Sequence, residues 1–131
     1  MLTWAADGAT FSQRNGVLIQ TRGLGADLMS AQAPSPSQLQ QAGNSYQRMY
    51  YFLGEDDQGT RRTYDCTTAI VGGESVEVLG RSYATTHVTE TCTRPNGKLT
   101  NDYWFQGSSI RKSRQWVSAG VGYVEFERVI D

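Results

Sequence analysis

"RTYDCTTAIVGGESVEVLGRSYATTHVTETCTRPNG" occupies residues 62–97, and the way it divides into strands decides the fold. Val76 and Val78 share one face of "SVEVLG", the period-two alternation of a half-buried strand. Three turn signals punctuate the stretch: "VGGE" at 71–74, "LGRS" at 79–82 and "RPNG" at 94–97. In the last of these, Pro95 presets φ for a type I turn, and Gly97 suits the left-handed position that closes it with a bulge. Dividing the chain at these turns predicts strands at 60–71, 74–79 and 82–93.

The same pattern extends in both directions. "RNG" (14–16) separates "ATFSQ" from "VLIQT", and "GEDDQG" (54–59), "QGSS" (106–109) and "SAGVG" (118–122) supply further turns. Short runs rich in Tyr, Thr, Val, Ile, Phe and Trp lie between them, which predicts strands at 2–5, 9–13, 16–22, 46–53, 98–106, 109–117 and 122–130. Regular spacing with tight turns implies an all-β antiparallel meander, and closing it into a barrel or partly open barrel hides the edge strands. The segment 25–45 differs, with two prolines and many Gln, Ala and Ser. It is expected to be an irregular or short-helical crossover. "DLMSAQ" suits one helical turn or two, and Pro36 opens another with Ser35 as N-cap.

The length of 131 residues fits a single domain, 1–131, with 38% hydrophobic and 19% charged residues. Twelve Lys and Arg against thirteen Asp and Glu argue against nucleic-acid binding, which needs a basic excess. No apolar run approaches the roughly 20 residues of a membrane-spanning helix. Met1 leads directly into "LTWAADG", as in a cytosolic protein or in one trimmed of its leader.

Catalytic and metal chemistry find little support. His87 is the sole histidine, and Cys66 and Cys92 lack the close spacing of structural zinc ligands, so neither a metal nor a cofactor is expected. His87 reads as a polar residue on a Thr-rich strand. No "GxSxG" elbow surrounds a serine, and "GLG" at 23–25 lacks a phosphate-binding context. Glu77 and Glu90 read as outward positions, so no carboxylate pair stands out, and no catalytic residue is assigned.

A bridge between Cys66 and Cys92 would contribute about 3.5 kcal/mol by restricting the unfolded chain. With a separate strand at 74–79 between them, however, the two lie about 9.5 Å apart, beyond disulfide reach. Either the strand order departs from that meander or the thiols stay free.

The hairpin "DYWFQGSSIRKSRQW" (102–116) supplies the binding candidates. A two-residue loop at Gly107-Ser108 sets Phe105 opposite Ile110, Tyr103 opposite Lys112 and Trp104 opposite Arg111. Tyr103, Phe105 and Ile110 then face a core, while Trp104 and Arg111 form an outward cation–π pair. The run "RKSRQ" is polar on both faces. Aromatic faces beside Arg and Gln donors suit sugar rings, so Tyr103, Trp104, Arg111, Arg114 and Trp116 are candidate ligand contacts, with Arg22 as a further donor.

Three stretches carry a family resemblance: "LTWAADGATFSQRNGVLIQTRGLGADL", "NDYWFQGSSIRKSRQWV" and "VGYVEFERV". They resemble the opening hairpin, the aromatic strand with its "S-x-Q" partner, and the last strand of the YjbF/GfcB group of bacterial lipoproteins. That group is encoded with exopolysaccharide and group 4 capsule functions. The resemblance implies a barrel-like domain exported to the periplasm and tethered to the outer membrane by a lipid. It brings no catalytic residues. There is no lipobox and no N-terminal cysteine, so the anchor is expected to belong to a precursor and to be absent from this chain. The oxidising compartment it implies favours the Cys66–Cys92 bridge.

The expected function is therefore a non-enzymatic periplasmic accessory in exopolysaccharide or capsule production, binding glycan or a secretion protein. Two alternatives remain: a lipocalin-like carrier of a small apolar ligand, marked by a dry cavity, and a glycan-modifying enzyme, marked by an acidic pair in a cleft.

Overall fold

The computed structural model describes the backbone of residues 2–6, 9–14, 16–22, 27–41, 43–53, 59–95, 97–118 and 122–127. Side chains are described at 11–14, 16–21, 28, 33–41, 43–52, 61–95, 97–117 and 122–127. The turns expected at 54–59 and 118–122 lie largely outside these residues, as do the Arg22 side chain and positions 128–130 of the last strand.

Ten strands form one antiparallel sheet in chain order. They are β1 (Leu2–Ala6), β2 (Ala9–Arg14), β3 (Val17–Arg22), β4 (Asp27–Gln32), β5 (Ser45–Leu53), β6 (Gly59–Val78), β7 (Arg81–Arg94), β8 (Gly97–Gln106), β9 (Ser109–Ser118) and β10 (Gly122–Glu127). A single-turn helix, α1 (Pro36–Leu39), sits between β4 and β5.

Two elements differ from expectation. "DLMSAQ" is strand β4 rather than helix. Leu28 is fully buried and its N–H donates to Thr21 Oγ1 at 2.8 Å, so docking onto β3 overrides a weak helical preference. The second difference is larger. Residues 59–78 form one strand, not two, because "VGGE" is a β-bulge and not a reversal. Gly72 has φ +145°, where the absence of a Cβ lets β6 kink and continue. Cys66 therefore lies directly opposite Cys92, with Cα atoms 4.0 Å apart, and the two form a disulfide. The strand expected to separate them is a continuation of the one that carries Cys66. At the following turn Arg94 pairs directly with Gly97, which opens β8 without the expected left-handed closing position.

Helix α1 begins where Pro36 predicts. Gln38 N–H donates to Ser35 Oγ at 3.3 Å and Ser35 N–H donates to Gln38 Oε1 at 2.9 Å, a reciprocal capping box. Its Leu39 is buried with Val17, Val88, Tyr103, Phe105 and Ile110.

The sheet rolls so that its two ends approach one another. Phe11 of β2 meets Phe126 of β10 edge to face, with centroids 5.8 Å apart. Gln115 of β9 accepts from Leu18 N–H at 2.7 Å and donates to Gly16 O at 2.9 Å. A Cβ on Gly16 would lie 2.9 Å from Ile110 Cδ1, so this close approach requires glycine.

Inside, two apolar clusters flank a polar layer. Along β7, Val88 belongs to one cluster and Cys92 to the other, with buried Glu90 between them. Along β8, Tyr103 and Leu99 likewise flank buried Asn101. Glu90, expected to face solvent, instead follows the parity of Val88 and Cys92. Its carboxylate accepts from Arg48 Nη1 at 2.7 Å, Asn101 Nδ2 at 2.8 Å, Tyr103 OH at 3.3 Å and Tyr46 OH. Burial alone would lower the Arg48 guanidinium, but Glu90, Tyr50 and Tyr103 outweigh it and hold the group well above its ordinary value.

Burial pushes the Tyr50 phenol up to about 12 and raises Tyr46 and Tyr103, all three assisted by the Glu90 charge. These groups keep their protons longer when folded than unfolded. Their contribution is fully present below the unfolded value near pH 10 and is lost as pH rises toward the folded values. Between roughly pH 10 and 12, unfolding free energy is expected to fall by about 1.4 kcal/mol per pH unit for each such phenol. An alkaline titration should show tyrosinate absorbance appearing together with loss of the sheet signal. Early, separate ionisation of these phenols would contradict their burial.

Candidate functional site

The outward face of β6–β10 carries a linked set of charged and aromatic side chains. Alternation turns Tyr103 and Phe105 inward and leaves Trp104 and Asp102 outward on β8. The β7–β8 register sets His87 opposite Trp104, and the β8–β9 register sets Trp104 opposite Lys112 and Asp102 opposite Arg114. On β10, Glu125 pairs with Arg114 and Glu127 with Lys112. The result is two parallel rows running across the strands.

The first row is tightly joined. The imidazole of His87 stacks on the indole of Trp104, centroids 4.5 Å apart and planes 12° from parallel. His87 Nδ1 lies 3.2 Å from Glu74 Oε2, and Nε2 lies 2.8 Å from Asp102 Oδ1. Trp104 Nε1 donates to the same Glu74 oxygen at 3.1 Å, and the Lys112 ammonium stands 5.3 Å from the indole centroid. In the neighbouring row the Arg114 guanidinium lies 4.2 Å from the Tyr123 ring centroid, and Tyr123 OH accepts from Thr100 N–H at 3.0 Å. Each aromatic ring thus carries a cation on its face and each cation has a carboxylate on the adjoining strand. With four carboxylates (Glu74, Asp102, Glu125 and Glu127) to two cations (Lys112 and Arg114), such an array presents oriented donors and acceptors with an excess of negative charge.

The sequence-derived candidates do not gather at one place. Trp104 and Arg114 belong to the outward rows. Tyr103 is fully buried in the polar layer. Trp116 turns toward the interior, with ring centroids 5.1 Å from Tyr50, 5.8 Å from Phe52 and 6.3 Å from Tyr64. Arg111 is buried near the β8–β9 turn, 4.4 Å from the Tyr83 centroid, and donates to Gln106 Oε1 at 2.7 Å. A bulge at Arg111 shifts the hairpin by one residue, so Trp104 pairs with Lys112, Tyr103 with Ser113, and the expected Trp104–Arg111 contact does not form. Arg22 is placed in β3 by its backbone alone. The polar run 111–115 resolves by face: Ser113 and Gln115 enter the polar layer, whereas Lys112 and Arg114 stay outside.

Sequence reading passed over His87, Glu74, Asp102, Lys112 and Tyr123. A usable signal existed for His87: a two-residue loop at Pro95-Asn96 fixes Arg94 opposite Gly97 and, counting back, His87 opposite Trp104. One trio of potential metal ligands is close enough among the described residues, Cys66, Glu90 and Cys92. The disulfide removes both of its sulfurs. As for carboxylates, Glu74 and Asp102 flank the two ring nitrogens of His87.

Among solved structures, the crystal structure of YmcC, a hypothetical lipoprotein from Escherichia coli (K12), superposes with a TM-score of 0.77. It is 27% identical, with 94% of this chain and 70% of that one covered. No curated protein matches. The family model described as "Group 4 capsule polysaccharide lipoprotein gfcB, YjbF" matches residues 1–129. With residues 1–129 matched and the fold shared, the chain belongs to the YjbF family of group 4 capsule polysaccharide lipoproteins.

Proposed function

We propose that this protein is a non-enzymatic accessory of capsule or exopolysaccharide production, working on the periplasmic side of the outer membrane and holding glycan on the outward face of β7–β9. The observation that carries the reading is the pair of rows through Trp104 and Arg114, whose hydrogen-bonding groups are already oriented by their strand neighbours. Fixed donors and acceptors around an aromatic side chain recognise sugar hydroxyls at small entropic cost. The interior supports the same choice, because an apolar ligand there would have to displace a buried ion pair and its partners. The disulfide suits an oxidising compartment.

Calorimetric titration with the polymer made by the same capsule locus tests this. Trp104→Ala is expected to weaken binding by about tenfold, or about 1.4 kcal/mol. The melting temperature should change little, since the cation–π contact contributes about 0.5–1 kcal/mol. Lys112→Ala uncovers the indole and should leave binding intact or tighter. Unchanged binding by Trp104→Ala would end the glycan assignment, and collapse of the fold would make Trp104 architectural.

A further inference from the structure

Strands β6 and β7 outrun their neighbours. β5 pairs with β6 only up to Thr67, and Thr68 is held by the backbone of Gly43 and Asn44. On the other side, β8 reaches only Thr86 of β7. Residues 69–78 and 81–85 therefore form a two-stranded ribbon with, among the described residues, no strand on either side. The exposed large apolar side chains of the described residues all lie on it: Ile70 at 48%, Val71 at 62% and Leu79 at 80%. Leu79 also has φ +48°, a conformation favouring Gly or Asn, so a bulky side chain is held in solvent at a strained position.

The direction of the free backbone groups follows from the ladder. Cys66 and Cys92 are a close pair, Cα to Cα 4.0 Å, of the kind that does not exchange hydrogen bonds. The groups of Cys66, and two and four residues on those of Thr68 and Ile70, therefore point away from β7. Thr68 does so visibly, bonding Asn44 O and Gly43 N at 3.1 and 2.8 Å. Beyond the bulge the phase is set by the tip, where Val78 pairs with Arg81 across Leu79-Gly80. Gly73, Ser75 and Glu77 are then the outward positions.

We propose that this edge binds a second copy of the chain, the two β6 strands pairing antiparallel about a two-fold axis at Ser75. In that register Gly73 lies opposite Glu77 of the second copy, and Ile70, with Val71 beside it, lies opposite Leu79. The pattern is self-complementary, as a two-fold interface requires. All three exposed apolar residues are covered, and each Glu77 faces a glycine rather than another carboxylate. Moving the axis one residue to Glu74 sets Ile70 against Glu77 and Leu79 against Thr68, whose backbone is already paired. The ribbon offers about ten residues a side, fewer than the roughly 20–30 of a standard interface. The dimer is accordingly weak and concentration-dependent.

Sedimentation equilibrium from low micromolar to near-millimolar protein tests this. The wild type should pass from monomer to dimer. Ser75→Pro removes an outward N–H while leaving the β6–β7 ladder complete, and should weaken association at least about tenfold with unchanged circular dichroism. Leu79→Asn suits the left-handed φ, so it should melt at the same or a higher temperature while also weakening association. Ser75→Cys adds one thiol to a chain whose two cysteines are bonded, and oxidation should cross-link it to its counterpart. A monomer at every concentration would overturn the proposal, as would a dimer indifferent to Leu79→Asn and unlinked through Ser75→Cys, including one in which the edge binds only a different protein.

Discussion

Glu90→Gln is expected to destabilise the protein by about 3–5 kcal/mol, the cost of leaving a buried guanidinium without its counter-charge. The substitution preserves volume, so no cavity contributes. It leaves Arg48, 1% exposed, facing a neutral amide in place of a carboxylate, with only its bonds to Leu18 O at 3.3 Å and Tyr103 OH at 3.4 Å unchanged. For a chain of this length the melting temperature should drop by roughly 10–20 °C. Arg48→Met combined with Glu90→Leu should recover part of the loss, because replacing both charges removes the desolvation cost along with the attraction. Recovery should be incomplete, since the Tyr46, Asn101 and Tyr103 donors then lack their acceptor. Thermal melts of Arg48→Met, Glu90→Leu and the double variant measure the coupling. A fall below about 1 kcal/mol for Glu90→Gln would mean that solvent reaches the pair.

The second large effect concerns Cys66–Cys92, separated by 26 residues. The chain-entropy model gives about 3.5 kcal/mol for a loop of this size, or roughly 10–15 °C in melting temperature. Both cysteines are buried, at 1% and 0% exposure, so reductant must wait for the barrel to open. Mild dithiothreitol should leave the native protein oxidised, while the same reductant in urea should reduce it completely. The Cys66→Ser/Cys92→Ser variant should fold with the lower melting temperature. Rapid reduction of the native protein would contradict the burial.

Features set by adjacent residues were legible in the sequence; those set by distant ones were not. Ser35, Pro36 and Gln38 specify a helix start within four positions, and α1 begins there. Tyr103, Phe105 and Ile110 alternate cleanly, and all three are buried. Gly72-Gly73, by contrast, has the same composition whether the chain reverses or bulges. What decides is that β7 continues alongside, a fact outside the dipeptide. Misreading it inserted a strand between two cysteines that are neighbours. For Glu90 the charge outweighed the parity it shares with Val88 and Cys92, yet parity prevailed because Arg48 arrives from β5. The outward rows depended on registers that only the turns fix, and one bulged residue at Arg111 moved Trp104 from its expected partner to Lys112. Trp104 was legible as outward, but its surroundings were not.

The amide of Gln115 has a consequence for how this barrel forms. Nearly every backbone pairing here joins consecutive strands, so most of the sheet can assemble by successive hairpins, the rapid route for an all-β chain. The bonds from Gln115 to Leu18 and Gly16 reach across 97 and 99 residues, and one side chain does there what a ladder does elsewhere. Such a seam is expected to close late in folding and to open first, below the free energy of global unfolding. Deuterium uptake at the Leu18 amide would then time the breathing of the barrel separately from its melting.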